Sequence, residues 1–508
     1  MSTPRILIVN PPFYRLQGES LIHYPPGCCY VAASLEQAGF ESEIYNADYD
    51  PEKKTLLGNT NHINVKALLR QHADYQERLA AKNDPVWLEI EGVLRQKRPD
   101  ILIVSVFTTT LTAGTRIARM AREVNPGVKV IFEGCFNRGL HCAVDPGSEA
   151  DYSVVDFGIS NEPEIPAREL LKALSRGETD FSAIPGLTWK RPDGAVVRNE
   201  PGPYVQDLDS LPFPARHRML DADRIPPHAF QGIYGSRGCP FDCVFCGCHT
   251  SMGYKPRTRS AQNIVDEIEQ VHKRFGTRYF YLCDDIFFIS KDRAQEFCER
   301  LIKKRLPVYF SAQTRAELVD EKTLALVKRA GGQHIAVGVE VGNPDIRKLI
   351  RKGNTVDDVR RCARMIRAAG LRMVAFTMVG LPWEGEKEIR QTVDLIKEIK
   401  PYIVFGYMPT PAAGTELKRI VEAKNPSGLE MFHDTCHIDA SAGISINMSP
   451  EERRAILEWA LDEFTAINKK SLFADVFSRP GFYWALAHDM GFFKRPGLVF
   501  KYLKDYLS

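Results

Sequence analysis

The chain has no long apolar run, no low-complexity tract and no surplus of either charge. No stretch of its 508 residues approaches the roughly 20 apolar residues that a membrane span needs. Lys+Arg 67 against Asp+Glu 64 gives a net charge of +3, too balanced for a nucleic-acid groove, so no nucleic-acid partner is expected. No G-x-G-x-x-G follows the first apolar strand, which argues against a nicotinamide-type Rossmann site. A disulfide framework is also missing. The 12 cysteines are scattered except in one loop, and no secretory signal precedes Ile6, so a reducing, cytoplasmic setting is expected.

What is present centres on that loop, Gly238-Cys-Pro-Phe-Asp-Cys-Val-Phe-Cys-Gly247. Cys239, Cys243 and Cys246 stand in a C-x3-C-x2-C spacing, with Phe245 just before the third thiol. Such a run can wrap three sulfurs around three corners of a cubic iron–sulfur cluster. Full cysteine ligation takes four thiolates, so one iron is left open, the mark of a catalytic rather than a closed structural centre. A zinc site would use paired C-x2-C elements, and Cys243 with Cys246 is the one such pair. Cys248 follows at once, but ligation two residues after the last thiol is geometrically awkward.

The N-terminal third alternates strand and helix. Arg5–Asn10, Glu41–Asn46, Asp100–Val106 and Val128–Phe132 read as buried strands, and Tyr152–Val155 as a fifth. Helical spacing falls at 27–39, 111–124 and 164–174, with a polar helical excursion within 59–97. This pattern predicts a doubly wound, Rossmann-like parallel sheet. Such sheets bind ligands beyond the carboxyl ends of their strands, here Pro11-Pro12-Phe13, Phe107-Thr-Thr-Thr110 and Glu133-Gly-Cys-Phe136. Pro12, Thr108, Thr109 and Gly134 are the candidate contacts. A hairpin through Asp193-Gly194 and a proline-rich stretch ending at Leu211-Pro-Phe-Pro214 mark a joint.

From Gly235 to about Pro411 strands and amphipathic helices alternate six times, enough for a partial (β/α)6 barrel, whose chemistry gathers at the strand ends. The expected strand ends carry the cysteine loop, Asp284-Asp285, Gln313-Thr-Arg315, Glu340-Val-Gly342, Gly380-Leu-Pro382 and Pro409-Thr-Pro411. The expected domains are 1–180, a linker at 181–225, the barrel at 226–417, and a mainly helical region at 418–508 that could act as a substrate lid.

Taken together, Cys239, Cys243 and Cys246, Arg257-Thr-Arg-Ser260, Asp284-Asp285, Gly338-Val-Glu-Val-Gly342, Gly380-Leu-Pro382 and Pro411-Ala-Ala-Gly-Thr415 resemble the radical S-adenosylmethionine superfamily. Pro11-Pro12, Pro25-Pro-Gly27, Pro99–Ser105 and Val130–Gly134 resemble the cobalamin-binding domain found ahead of many of its members. Two departures stand out: Glu133-Gly134 replaces the frequent Gly-Gly, and no Asp-x-His-x-x-Gly supplies a histidine to cobalt. His23 and His141 are the nearest substitutes, and each reads better as a surface histidine.

The resemblance implies a [4Fe-4S] cluster on the three cysteines, S-adenosylmethionine on the open iron, and cobalamin on the N-terminal domain. It implies that Glu340 holds the ribose, Gly380 flanks the adenine, and Asp285 lies near the methionine or substrate, with Phe245 and Arg315 among the cofactor contacts. The implied chemistry is cleavage of S-adenosylmethionine to a 5′-deoxyadenosyl radical and, most often, methylation of an unactivated carbon, with ring formation or oxidation as the alternative. A methylthiotransferase or a non-catalytic iron–sulfur protein fits less well. Implied partners are a small-molecule or lipid-like substrate and an electron donor such as flavodoxin or ferredoxin. His433, Cys436 and His437 read as loop or core residues rather than a second metal site. The aromatic and basic tail after Phe492 either lies on a membrane surface or packs as a lid, and the lid is favoured.

Overall fold

Five short strands, Ile6–Asn10 (β1), Ser42–Asn46 (β2), Ile101–Ser105 (β3), Lys129–Glu133 (β4) and Phe157–Ile159 (β5), form a parallel sheet in the order β2-β1-β3-β4-β5. The hairpin Leu187–Lys190 (β6) and Val196–Arg198 (β7) extends it antiparallel. The structure, a computed structural model, describes residues 4–18, 23–50, 74–134, 153–191, 193–220, 222–411, 414–424 and 444–492.

Buried side chains alternate across this sheet, as a period of two requires. Ile6, Ile8, Ile101, Ile103 and Ile131 share a core with helices Pro26–Gln37 (α1) and Glu164–Ser175, while Leu7, Val9, Leu102, Val104, Val130 and Phe132 share another with Pro85–Lys97 (α2) and Leu111–Val124 (α3). Helices therefore cover both faces, which explains why the strands read as unbroken apolar runs. The helix Glu164–Ser175 is α4. The expected fifth strand at Tyr152–Val155 is displaced: Ser153–Val155 lie outside any strand and β5 follows at Phe157. The aliphatic pair Val154-Val155 packs into the core as a turn instead.

The second sheet holds Gly232–Ile233 (β8) and, after a small ladder of Ser236–Arg237 (β9) with Arg257–Thr258 (β10), the strands Tyr279–Leu282 (β11), Tyr309–Thr314 (β12), Gly332–Glu340 (β13), Arg372–Met378 (β14) and Ile403–Tyr407 (β15). It is parallel throughout, in the order β15-β14-β13-β12-β11-β8. Helices Ala261–Phe275 (α5), Lys291–Lys304 (α6), Glu321–Arg329 (α7), Pro344–Leu349 (α8), Val356–Ala368 (α9) and Glu386–Ile399 (α10) lie between the strands. Phe280, Leu282, Phe310, Ile335, Val337, Met373, Ala375 and Val404 pack with residues of these helices in one core. The opposite faces of β14 and β15 alternate as partly exposed positions. Neighbouring residues of one helix reach both sides of the sheet, Phe482 meeting Tyr279 of β11 at 5.4 Å between centroids and Tyr483 Oη meeting Tyr402 Oη, just before β15, at 2.6 Å, although a flat sheet would set these strands about 19 Å apart. The sheet therefore curls around an inner face.

Helix Glu416–Lys424 (α11) follows the last strand, and Pro450–Ser478 (α12) covers its open edge. There Asn468 receives a bond from Val404 N at 2.7 Å and donates to Val404 O at 2.9 Å, closing strand groups that would otherwise be left to pair with another chain. Helix Pro480–Asp489 (α13) sits where the strands begin. Asp489 accepts from the backbone of Arg278 and Tyr279 at 2.7 and 2.9 Å, and Phe482 meets Tyr279, Tyr309 and His334. This is the end opposite the cysteine loop, so α13 is a plug rather than a lid. The expected lid residues after Phe492, with His433, Cys436, His437 and His141, lie outside the described residues.

A buried ionic group joins the two sheets. Arg216 donates to Glu267 of α5 at 2.6 Å, to Tyr24 Oη at 2.9 Å and to Gly232 O at 3.0 Å, and Arg259 pairs with the second oxygen of Glu267. Both arginines hold the Glu267 carboxylate below its ordinary range against the opposing effect of burial, which is the largest influence on it.

Candidate active site

The cysteine loop lies just after β9 rather than directly after β8. Gly238 enters it with φ +87°, and a Cβ there would sit 2.6 Å from Lys255 O, so a side chain is excluded twice over. Cys239 N donates to Gly253 O, Val244 N to Ile350 O, and Leu417 N to Val244 O, which pins the loop from three sides, and Cys246 N donates to Cys243 O within it.

The thiols differ in environment. Cys239 is held down to about 7, chiefly by its hydrogen bond with Cys248, and the same bond pushes Cys248 up. Burial pushes Cys246 up to about 11 and raises Cys243. Arg315 approaches Cys243 Sγ at 3.6 Å and stands over the Phe241 ring at 3.7 Å. A cation there favours the thiolate form. Cys248 is thus drawn into the site more closely than the sequence implied: its thiol donates to Asp285 Oδ2 at 2.8 Å. Among the described residues, no three His, Cys, Asp or Glu side chains converge on one ion-sized point.

The other expected contacts surround this loop. Glu340 ends β13 at a bulge with φ +58° and receives Lys352 Nζ at 2.6 Å. A Cβ at Gly338 would meet Glu340 Oε1 and Lys352 Nζ at 2.4 and 2.6 Å, so a side chain there would push this ion pair aside. Gly380, φ +92°, donates with Leu381 to Glu384 Oε2, both at 2.8 Å. Burial raises the Glu384 carboxyl to about 7. Phe245 packs on the cluster of Val341, Ile346 and Leu381, bringing the loop beside the Gly380 turn. Asp284 and Asp285 separate in role: Asp284 is fully buried and accepts from Gly235 N and Arg293, whereas Asp285 is exposed beside Cys248. Gln313 belongs to β12 and faces inward, not to a loop beyond it.

At the carboxyl edge of the first sheet, the strand order reverses between β1 and β3, the place where doubly wound folds take ligands. Pro12 and Gly134 are buried there, Thr109 is half-buried, and Thr108 begins a short turn. Glu133 is 1% exposed, with Oε1 lacking any partner among the described residues, and burial raises its carboxyl to about 7. His23 is half-buried. Its ring lies against Gly232, where a Cβ would come within 2.6 Å, and enclosure lowers the imidazole to about 4.

Sequence reasoning missed the clamp between the two edges. Glu162 and Glu164, just beyond β5, pair with Arg237 at 3.1 and 2.5 Å, and Glu162 pairs with Arg257 at 2.7 Å. Arg237 stands two residues before Cys239. The pattern Glu162-Glu164 is visible in the sequence, but nothing local names its partners.

Residues 233–396 match the radical SAM superfamily. The match runs from β8 into α10 of the second sheet. Over 424 residues it is 26% identical to an uncharacterised methyltransferase of Pyrococcus horikoshii, covering 82% of this chain and 90% of the relative. It is 26% identical to the anaerobic magnesium-protoporphyrin IX monomethyl ester cyclase of Rubrivivax gelatinosus, covering 80% and 68%. The radical S-adenosylmethionine methyltransferase TsrM from Kitasatospora setae, solved with cobalamin and a [4Fe-4S] cluster, shares the fold with a TM-score of 0.64 at 18% identity, covering 90% of this chain and 82% of TsrM. The likeness in fold thus takes in both sheets.

Proposed function

We propose that this chain is a cobalamin-dependent radical S-adenosylmethionine enzyme that methylates an unactivated carbon of a small molecule. The observation that carries the reading is the clamp of Glu162 and Glu164 on Arg237 and Arg257, which ties the ligand-binding edge of the first sheet to the cysteine loop of the second. In this reading Cys239, Cys243 and Cys246 hold a [4Fe-4S] cluster. Phe245, Asp285, Arg315, Glu340 and Gly380 line the S-adenosylmethionine site, and Pro12, Thr108, Thr109 and Gly134 take cobalamin. When bound, the cluster supplies the electron for reductive cleavage of S-adenosylmethionine and cobalamin supplies a methyl carrier.

The chain's own work is binding and enclosure. Arg315 favours the thiolate at Cys243, the bulge at Glu340 aims a carboxylate at a hydroxyl-bearing ligand, and the curled sheet keeps water from the reacting carbon. The buried Oε1 of Glu133, without a partner among the described residues, and the small residues at that edge fit a bulky ligand approached closely by backbone. An external reductant is required, of the flavodoxin or ferredoxin kind, and the setting is cytoplasmic. Among the described residues no helix is long and apolar enough to cross a membrane.

Anaerobic incubation of the reconstituted, cobalamin-loaded protein with reductant and S-adenosylmethionine tests this. Formation of 5′-deoxyadenosine together with S-adenosylhomocysteine is expected. The likeness to a ring-forming cyclase keeps a second reading in view, radical chemistry without methyl transfer, which would give 5′-deoxyadenosine alone. Absence of both products contradicts the proposal.

A further inference from the structure

The inner face of the central sheet carries a pattern of its own. By register, Cys283, Gln313, Ala336 and Val374 stand at one level, with Gly338, Phe376 and Phe405 one step nearer the cysteine loop. The rings of Phe376 and Phe405 stack on one another, centroids 5.6 Å apart and 29° from parallel. Tyr407 joins them, 6.3 Å from Phe405 at 26° and 6.1 Å from Phe376 at 45°, making an aromatic wall. Across from it Tyr281 donates its phenol to Gln313 Oε1 at 3.1 Å, leaving the Gln313 amide NH2 as a donor. Between the two walls stands the small side chain of Ala336, and the Glu340–Lys352 pair closes the space over Gly338. The inward positions Tyr281, Cys283, Gln313, Gly338, Phe376, Phe405 and Tyr407 are all partly exposed, whereas their outward neighbours are buried. In a closed barrel, inward side chains pack into layers and leave no room.

Charge is confined to the two ends of this space. Arg372 lies at the α13 end, paired with Asp475 at 2.6 Å; Asp285, Arg315 and the Glu340–Lys352 pair over Gly338 lie at the cysteine end. No Asp, Glu, Lys or Arg faces inward between them among the described residues.

We propose that this inner space binds the substrate, and that the substrate is a planar, uncharged aromatic or heteroaromatic compound. The ring packs against the Phe376–Phe405–Tyr407 wall, and an acceptor group, such as a carbonyl, meets the Gln313 amide. Rings gain from such stacking beyond the area they bury, whereas a saturated ring of equal size gains burial alone. This deepens the methylation reading by naming the class of molecule, and it rests on that reading only for the reaction, not for the binding.

The test uses the full, reconstituted chain and two neutral probes, naphthalene-2-carboxamide and its decahydro counterpart, with affinities measured by ligand-observed NMR. The planar probe should bind at least about fivefold more tightly, and Phe405→Leu and Phe376→Leu should each reduce that preference while the circular dichroism spectrum is unchanged. Tyr281→Phe, the gentlest change, should weaken binding of the carboxamide. Equal affinity for the two probes on the unmodified protein overturns the proposal, as does a preference that survives both leucine variants. Release of 5′-deoxyadenosine is scored on the same samples. Selective binding without cleavage overturns the reaction assigned above and supports this site; cleavage without selectivity overturns this site alone.

Discussion

The two sheets are built from the same unit, a parallel strand followed by a helix, yet they offer ligands different surfaces. The first has helices on both faces, so its one open place is the carboxyl edge where β1 and β3 part. The second packs the helices α5, α6, α7, α9 and α10 on one face and curls around the other, so it offers an edge and an interior together. An edge can present a large cofactor to a neighbour; an interior can enclose a reacting carbon. The Glu162–Arg237 clamp sets the first beside the second. The division of labour therefore follows from where the helices lie.

The largest effect that would break this comparison is on the cysteine loop. Replacing Cys239, Cys243 or Cys246 with Ala should reduce bound iron and sulfide to below about a tenth and stop 5′-deoxyadenosine formation, since a cluster so held loses one of its thiolates. Cys248→Ala should keep the cluster, as read by iron content. Next is the joint. Glu267→Ala leaves Arg216 and Arg259 buried without their carboxylate, which should cost about 3–5 kcal/mol and be read as a lower thermal unfolding midpoint.

Third is the pH response of the first sheet. The Glu133 carboxyl is raised to about 7 in the fold from its ordinary 4.5, so the native state keeps a proton that the unfolded chain has released. Its contribution is present below about pH 4.5 and lost as pH rises toward 7, by at most about 3 kcal/mol. The denaturation midpoint of the cobalamin-free protein should fall between pH 5 and pH 8, and Glu133→Gln should flatten that fall. The smallest effect is at the α5 cap, where Ser260 Oγ accepts from Asn263 N at 3.1 Å. Ser260→Ala should cost about 1 kcal/mol in urea denaturation and leave cluster content intact.

What was readable in the sequence followed local physics. Ile6–Asn10 and Ile101–Ser105 announce themselves because both of their faces are buried, and the cysteine spacing carries its chemistry in one decapeptide. Long-range placements were silent. The fifth strand slipped to Phe157 because short apolar runs do not fix their own ends. His23 looked superficial, since nothing near it in sequence reveals that Gly232 of another sheet would close over its ring. Asp284 and Asp285 look alike in sequence, and only the packing of Arg293 on Asp284 separates a structural carboxylate from one at the site. The aromatic wall was invisible because Phe376 and Phe405 are 29 residues apart and meet only through parallel register.

The most direct test of the central claim is the visible absorption spectrum of the reconstituted protein after incubation with cobalamin and gel filtration. The account predicts that cobalamin and iron–sulfur bands elute together with the protein, at about one cobalamin per cluster. Iron–sulfur absorption with every cobalamin band left in the small-molecule fraction would contradict it.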